Sequence, residues 1–520
     1  MLSAFAINLD TTIVNVALPT LVRDLHATNT QLQWIVDAYN LVFASLLLAA
    51  GSLSDRAGRK GTLLAGLALF GSASLAGGFA SSSGQLIAAR CLMGLGAALV
   101  FPSTLSLISN VFTQRAERAR AIGLWGATAG MAIALGPIFG GWLLGRFSWS
   151  SIFFAMAPVA LLAGLLVARY VPTSRDLSAP RADRPGLLLC TAAMALLVFT
   201  IIEAPDSGWG SARTLSGIAA AGALGAAFFV WEHRTAEPML DLELFRNPRF
   251  TAACAAVTVS FFTLFGFIFL MTQYFQFIKG YDPLSAGVHL LPVACSVGVA
   301  SVLGTRAAVR FGTKLVVSAG LVLVSCFYLW VATASATTGY LTIALQMVVY
   351  GVGMGLTSAP ATEAIMGAVP RAKAGVGSAV NDATRLLGGT LGVAVIGSVY
   401  ASVYASRLSA TLPAATPRRV AGAAEASVGA ALSTAHRLAG SGHALLAGLL
   451  YAGASDAFIQ GLRVGCLVAG GVAVAGAALA AAKLPAQPLQ AEPLAGPEPL
   501  AAGEPRPAEL CAGRLAAEEA

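Results

Sequence analysis

The chain has 520 residues, 57% of them hydrophobic and 11% charged, against about 25% charged in an ordinary soluble domain, and this excludes a water-soluble globular fold. A net charge of +8 would raise nucleic acid as a partner if the basic residues sat on a polar domain. Here they fall in short loops between apolar runs, so no nucleic-acid partner is expected.

A helix that crosses a hydrocarbon core roughly 30 Å thick needs about 20 apolar residues, because only bonds within the helix satisfy its backbone there. Fourteen stretches meet that length. In chain order they are Met1 to Leu21, Trp34 to Leu53, Thr62 to Phe79, Gln85 to Val111, Ala121 to Leu144, Ile152 to Tyr170 and Gly186 to Ala204. The remaining seven are Leu215 to Trp231, Phe250 to Phe277, Leu284 to Leu303, Leu315 to Ala334, Leu341 to Ala361, Gly375 to Tyr404 and Phe458 to Ala482. The first basic residue is Arg23, so the opening stretch lacks the positive start of a cleavable signal peptide and is expected to stay in the membrane. Nine residues before Asp10 barely reach the near face, and the natural chain is expected to start upstream of Met1 or to have been shortened there.

With a cytoplasmic N-terminus, the inner loops hold Arg56, Arg59, Lys60, Arg115, Arg118, Arg120, Arg169, Arg175, Arg181, Arg184, Arg234, Arg246, Arg249, Arg306, Arg310, Lys314, Arg371 and Lys373. The short outer loops hold Arg23, Arg146, Arg213 and Lys279. That asymmetry places both termini in the cytoplasm, and dropping one span would destroy it. Residues 405–457 read as an Ala- and Gly-rich outer loop whose apolar run Ala444 to Tyr451 is too short to span. Residues 485–520, rich in Pro and Glu, read as a disordered cytoplasmic tail. The seven cysteines form no C-x-x-C pair and have no His at metal-ligand spacing, so no metal site is expected.

Leu53-Ser54-Asp55-Arg56-Ala57-Gly58-Arg59-Lys60 after span 2 is echoed by Ala307-Ala308-Val309-Arg310-Phe311-Gly312-Thr313-Lys314 after span 10. Arg, Gly and Lys recur in register while the acidic position is lost, so two related but unequal halves are expected. In the first copy, which begins at Gly51, Gly58 permits a tight turn. Asp55 suits the positive N-terminal end of a neighbouring helix, unless the loop is merely a basic topology signal.

Five other sites place polar groups or small residues within spans. Asp10, in Leu9-Asp10-Thr11-Thr12-Ile13-Val14-Asn15-Val16-Ala17-Leu18-Pro19, lies about 14 Å along span 1 from Met1 at 1.5 Å per residue. A carboxylate there needs a cavity or a partner, and Thr11 and Asn15, four apart, share a face that lines a cavity if one is present. Arg90, in Leu86-Ile87-Ala88-Ala89-Arg90-Cys91-Leu92-Met93-Gly94-Leu95-Gly96-Ala97-Ala98, needs acceptors or a counter-ion, or else reaches the outer interface. Gly136-Pro137-Ile138-Phe139-Gly140-Gly141 in span 5, with Gly126, Gly130 and Gly145, makes a smooth face for close packing. Asp382 and Arg385, three apart in span 13, either pair with each other or act in transport, and Asp37 lies one turn inside span 2, either functional or solvated.

These segments resemble the major facilitator superfamily, in particular its fourteen-helix drug:proton antiporter family of the EmrB/QacA type, over most of residues 1 to 484. The resemblance implies two six-helix bundles, residues 1–172 and 236–484, joined by a linker at 173–235 with two additional central helices. It implies that Asp55 meets span 13, that Arg90 takes part in proton coupling, and that the span 5 motif marks an exporter. Met93 and Ala132 depart from the family pattern, which often has Gln and Gly there. The implied activity is secondary active export of lipophilic, often cationic, compounds by a monomer in a bacterial inner membrane, driven by the proton gradient and without a cofactor. Uptake of a nutrient, or a membrane-embedded sensor or enzyme, are the alternatives. Against the last, the chain has no Gly-Lys pair for a phosphate loop, no H-E-x-x-H and no G-x-S-x-G.

Overall fold

The computed structural model of the protein describes residues 1–112, 114–175, 183–236, 238–369, 374–413 and 416–486. Arg181, Arg371, Lys373 and nearly all of the expected tail lie outside the described residues. Among the described residues, fourteen helices are long and apolar enough to cross a membrane, and the architecture is all-α. Spans 1 to 8 are Leu2–Leu25, Asn29–Ala57, Arg59–Gly78, Ser83–Val111, Arg115–Leu144, Ser151–Tyr170, Arg184–Ser207 and Ala212–Arg234. Span 9 is Pro248–Gln273 with a π-helical turn Tyr274–Ile278, and span 10 is Pro283–His289 followed by Leu291–Phe311. Spans 11 to 14 are Thr313–Val331, Tyr340–Ala368, Ala374–Thr411 and Ala444–Lys483.

Several helices outrun their apolar cores because polar caps extend them. Span 2 starts at Asn29 rather than Trp34, since the Thr28 hydroxyl accepts from the Gln31 amide while the Gln31 side chain accepts from the Thr28 amide. Hydropathy gives such a capping box no weight. The expected outer loop at 405–457 is also largely helical among its described residues. Span 13 continues to Thr411, Ala444 to Tyr451 is the opening of span 14, and two short helices, Arg418–Ala426 and Val428–Gly440, lie between them. Those helices sit over the end of span 1, where Gly429 meets Val22 and Phe277, and Tyr404 donates to the Ala424 carbonyl at 3.0 Å.

Packing repeats with a shift of eight spans. Spans 1 and 5, 2 and 4, 3 and 4, and 3 and 6 pack together in the first half; spans 9 and 13, 10 and 12, 11 and 12, and 11 and 14 do so in the second. The halves meet along two related seams, span 2 against span 13 and span 5 against span 10. Gly58 at φ +115° and Gly312 at φ +87° each join consecutive spans through a single residue, a backbone that strains any residue with a Cβ. Spans 7 and 8, central in the sequence, are outermost in space. They pair with each other, and span 7 lies against spans 2 and 13.

With lipid as apolar as the protein, spans associate through close backbone packing at small residues. A Cβ on Gly96 would fall against the Gly66 carbonyl and the Phe70 amide of span 3, whereas one on Gly164 would meet no atom within 4 Å. Gly96→Leu is therefore expected to lower stability by about 1–3 kcal/mol or more, and Gly164→Leu to be tolerated. Thermal unfolding of the purified variants in detergent measures the difference, and equal midpoints would contradict the packing argument.

Candidate functional site

Arg90 of span 4 is 0% exposed and Asp10 of span 1 is 1% exposed. Nη1 of Arg90 lies 2.5 Å from Oδ2 of Asp10, Nε donates to the Ile35 carbonyl at 2.9 Å, and the guanidinium carbon sits 4.3 Å from the centroid of the Tyr39 ring. Tyr39 in turn donates to the Ile7 carbonyl at 3.1 Å. One guanidinium thus ties together spans 1, 2 and 4. This rules out the reading in which Arg90 escapes to the interface, because the side chain ends on an acceptor and a ring inside the bundle.

Asp37 needs a second correction. It is 0% exposed, neither carboxylate oxygen has a hydrogen-bond partner among the described residues, and the same holds for both amide atoms of Asn40 and for Nε2 of Gln33. The solvated alternative fails because span 13 covers this side of span 2, where Ser398 donates to Oε1 of Gln33 at 3.0 Å.

Between the halves lies a cavity of about 300 Å³ whose wall includes Asn8, Thr11, Trp125, Phe261, Asp382 and Arg385. Thr11 reaches it and Asn15 does not. Asn15 lies one turn farther along span 1, where the halves have closed: Gln276 of span 9 donates to the Val16 carbonyl at 3.0 Å. Asp10, Arg90 and Asp37 are also absent from the wall, so a shared position for proton and ligand on Asp10 is not what the geometry provides. Asn8 and the aromatic residues of the wall were missed from sequence. Asn8 had a signal, being polar and three residues before Thr11, whereas rings facing a cavity or lipid read alike in an apolar helix.

Asp382 and Arg385 come together only loosely, with Nη1 3.9 Å from Oδ1. Arg385 donates instead through Nη2 to Oγ1 of Thr362 at 3.0 Å, with its guanidinium carbon 5.3 Å from the Phe261 centroid.

The span 5 glycines divide their work. A Cβ on Gly136 or Gly140 would strike Thr12 or Ile13 of span 1, and one on Gly141 would strike Pro283 and Leu284 of span 10. From span 10, Gly287 faces the Pro137 carbonyl. Nearer the start of span 5, Gly126 and Gly130 have no such neighbours and line the cavity. The halves are therefore closed at one end and parted toward the end at which spans 1 and 5 begin.

At that parted end Gly51 lies beside Pro102, and the loop after it is stapled to the end of span 6 and the chain that follows it. The Arg59 amide donates to the Ser174 carbonyl at 3.0 Å, Nζ of Lys60 to the Ala168 carbonyl at 2.9 Å, and Nε of Arg175 to the Arg56 carbonyl at 2.7 Å. Nε of Arg59 lies 2.6 Å from Oδ1 of Asp55. The approach to span 13, residues 370–373, lies outside the described residues.

The sequence profile of the Major Facilitator Superfamily matches residues 1–393. The chain is 38% identical over 391 residues to the methylenomycin A resistance protein of Streptomyces coelicolor, covering 75% of this chain and 82% of that protein. It is 36% identical over 430 residues to the multidrug efflux pump LfrA of Mycolicibacterium smegmatis, with 83% and 85% covered. To the tetracenomycin C resistance and export protein of Streptomyces glaucescens it is 34% identical over 475 residues, with 90% and 87% covered. In fold it is similar to a bacterial homologue of the human lysosomal transporter Spinster in an inward-facing, occupied conformation, with a TM-score of 0.66 at 15% identity, covering 93% of this chain and 96% of that one. The chain belongs to the major facilitator superfamily and to its fourteen-span branch of drug exporters, and is a multi-pass membrane transporter rather than an enzyme.

Arg90→Met leaves the Asp10 carboxylate buried without its counter-ion, and removing one member of a buried pair costs about 3–5 kcal/mol. Adding Asp10→Asn removes the stranded charge. The double variant is expected to unfold at a higher temperature in detergent than Arg90→Met alone; a double variant no more stable than the single one would show that the two side chains are not coupled.

Proposed function

We propose that the chain is a proton-coupled antiporter that exports lipophilic, often cationic, drugs or antibiotics across a bacterial inner membrane, working as a monomer with both termini in the cytoplasm. The observation that carries this reading is the Asp10–Arg90 pair, sealed inside the bundle one residue away from Thr11 in the cavity wall. The relatives' names supply the substrate class, and the crowding of Lys and Arg into alternate loops supports the orientation. On that orientation the cavity opens to the cytoplasm.

Within this reading Asp10 carries the proton. An ionised Asp10 holds Arg90 and keeps spans 1, 2 and 4 in the observed arrangement. Protonation from outside removes the charge that holds the guanidinium, and deprotonation toward the cytoplasm restores it. Ligand and proton exclude one another through the conformation of span 1, since Asp10 is not in the wall that the ligand touches. No cofactor enters the cycle, and the proton gradient drives it.

Two variants test the scheme. Asp10→Asn is expected to abolish pH-gradient-driven efflux of monovalent lipophilic cations with the protein present at wild-type level, with Asp37→Asn and Asp382→Asn measured in parallel in the same everted vesicles. Full uphill export by Asp10→Asn with loss in Asp382→Asn would move the coupling carboxylate to the second half. Asp55→Asn keeps the side chain's size but removes the charge that meets Arg59 and that, on the family resemblance, acts on the start of span 13 during the cycle. Such a helix-end interaction is worth about 0.3–1 kcal/mol when exposed and up to roughly 2 when partly buried. Inserted protein with strongly reduced transport is expected; normal efflux would reject the role given to Asp55.

A further inference from the structure

The cavity holds two opposite charges that are not joined by a hydrogen bond. Nη1 of Arg385 and Oδ1 of Asp382 stand 3.9 Å apart, beyond the roughly 2.7–2.9 Å of a charge-assisted hydrogen bond. The other ion pairs among the described residues are short, 2.5 Å for Arg90–Asp10 and 2.6 Å for Arg59–Asp55. A pair kept only to neutralise itself in an apolar interior would close in the same way. Arg385 is instead drawn aside by Oγ1 of Thr362 and the Phe261 ring, and Thr362 is itself oriented by donating to Oδ1 of Asn381 at 3.2 Å. Nε of Arg385 is buried with no hydrogen-bond partner among the described residues. Its side chain is still 35% exposed, against 12% for Asp382, and both line the cavity.

Resting on the reading of this cavity as the ligand site, we propose that the cavity is amphoteric: it takes lipophilic monoanions, carboxylates or enolates, on Arg385, as well as lipophilic cations on Asp382. Arginine stays charged at any working pH and offers a planar fork of donors that matches a carboxylate. Nη1, held only loosely by Asp382, and the second hydrogen of Nη2 form the end-on face of such a fork, next to aromatic walls that take the apolar body of the ligand. A ligand of either sign engages one member of the pair without breaking a short bond, and the displaced member keeps a second partner: Arg385 has Thr362 and Phe261 when a cation occupies Asp382. A purely cation-selective cavity would have no use for a permanent positive charge on its wall, because that charge repels its ligands.

The test compares ethidium, a lipophilic monocation, with fusidate, a lipophilic monocarboxylate, in everted vesicles energised by a pH gradient. Wild-type protein is expected to accumulate both. Arg385→Gln is expected to raise the KM for fusidate about tenfold, as for loss of one hydrogen bond to a charged group, and to lower the KM for ethidium by removing the repulsion. Asp382→Asn shifts the two constants in the opposite directions, and Arg385→Lys, which keeps the charge but not the fork, restores part of the fusidate affinity. Should either neutralising variant not reach the membrane, quenching of tryptophan fluorescence by fusidate in purified wild-type and Arg385→Lys protein reads the same difference in affinity. Export of ethidium without fusidate by the wild type overturns the amphoteric cavity and leaves the exporter reading standing; export of neither overturns both. Equal loss of both ligands in Arg385→Gln means that Arg385 is structural, and overturns the proposal as well.

Discussion

A guanidinium that cannot lose its proton has to be satisfied wherever it lies in a membrane protein, and the position of Arg90 in the middle of the first bundle sets the arrangement of three spans. Its three engagements, with the Asp10 carboxylate, the Ile35 carbonyl and the Tyr39 ring, come from spans 1 and 2. Replacement of a buried pair by apolar residues is often neutral or stabilising in proteins, so stability alone is a poor reason for keeping one. A pair whose strength changes with one proton has a reason to be kept. On the proposed cycle it gives the bundle two arrangements of different charge, and the span that carries the acid also carries a residue of the cavity wall.

The second constraint is the absence of a hydrophobic force between spans in lipid. Close approach must come from small residues, and the span 5 motif meets that need on two sides at once: Gly136 and Gly140 take span 1, while Pro137 and Gly141 take span 10 across the boundary between halves. The pseudo-equivalent seam, span 2 against span 13, uses Gly397 against Gln33. Closure at one end and separation at the other then follow from where the close-packing positions stop along span 5, with Gly126 and Gly130 already facing open space. Spans 7 and 8 stand outside this scheme, and the six-plus-six repeat is complete without them.

Three aspartates buried within spans show how differently the same residue type is used. Asp10 is tightly paired, Asp382 is loosely paired in the cavity wall, and Asp37 is buried with neither oxygen engaged among the described residues. On the proposed cycle, separating them along the bundle separates the tasks of holding a proton and meeting a ligand, which one shared carboxylate would merge.

Covalent order and hydropathy were enough to determine the number of spans, the doubled loop with Gly58 and Gly312, and the short set of residues whose chemistry is out of place in lipid. Crossing a bilayer is a one-dimensional requirement on consecutive residues, so it is written locally. The partner of each polar group is not. Arg90 finds Asp10 across 80 positions and Ser398 finds Gln33 across 365, so tertiary packing alone decided that Asp37 is covered, that Arg90 stays inside, and that Asn8 rather than Asn15 joins Thr11 in the cavity wall. The helical character of 405–457 was hidden for a related reason, since its Ala-rich segments are helical by propensity but too polar or too short to register as spans. Tertiary structure also placed the two sequence-central spans at the periphery, because their packing is decided by the seam between spans 2 and 13, two elements that the chain forms far apart.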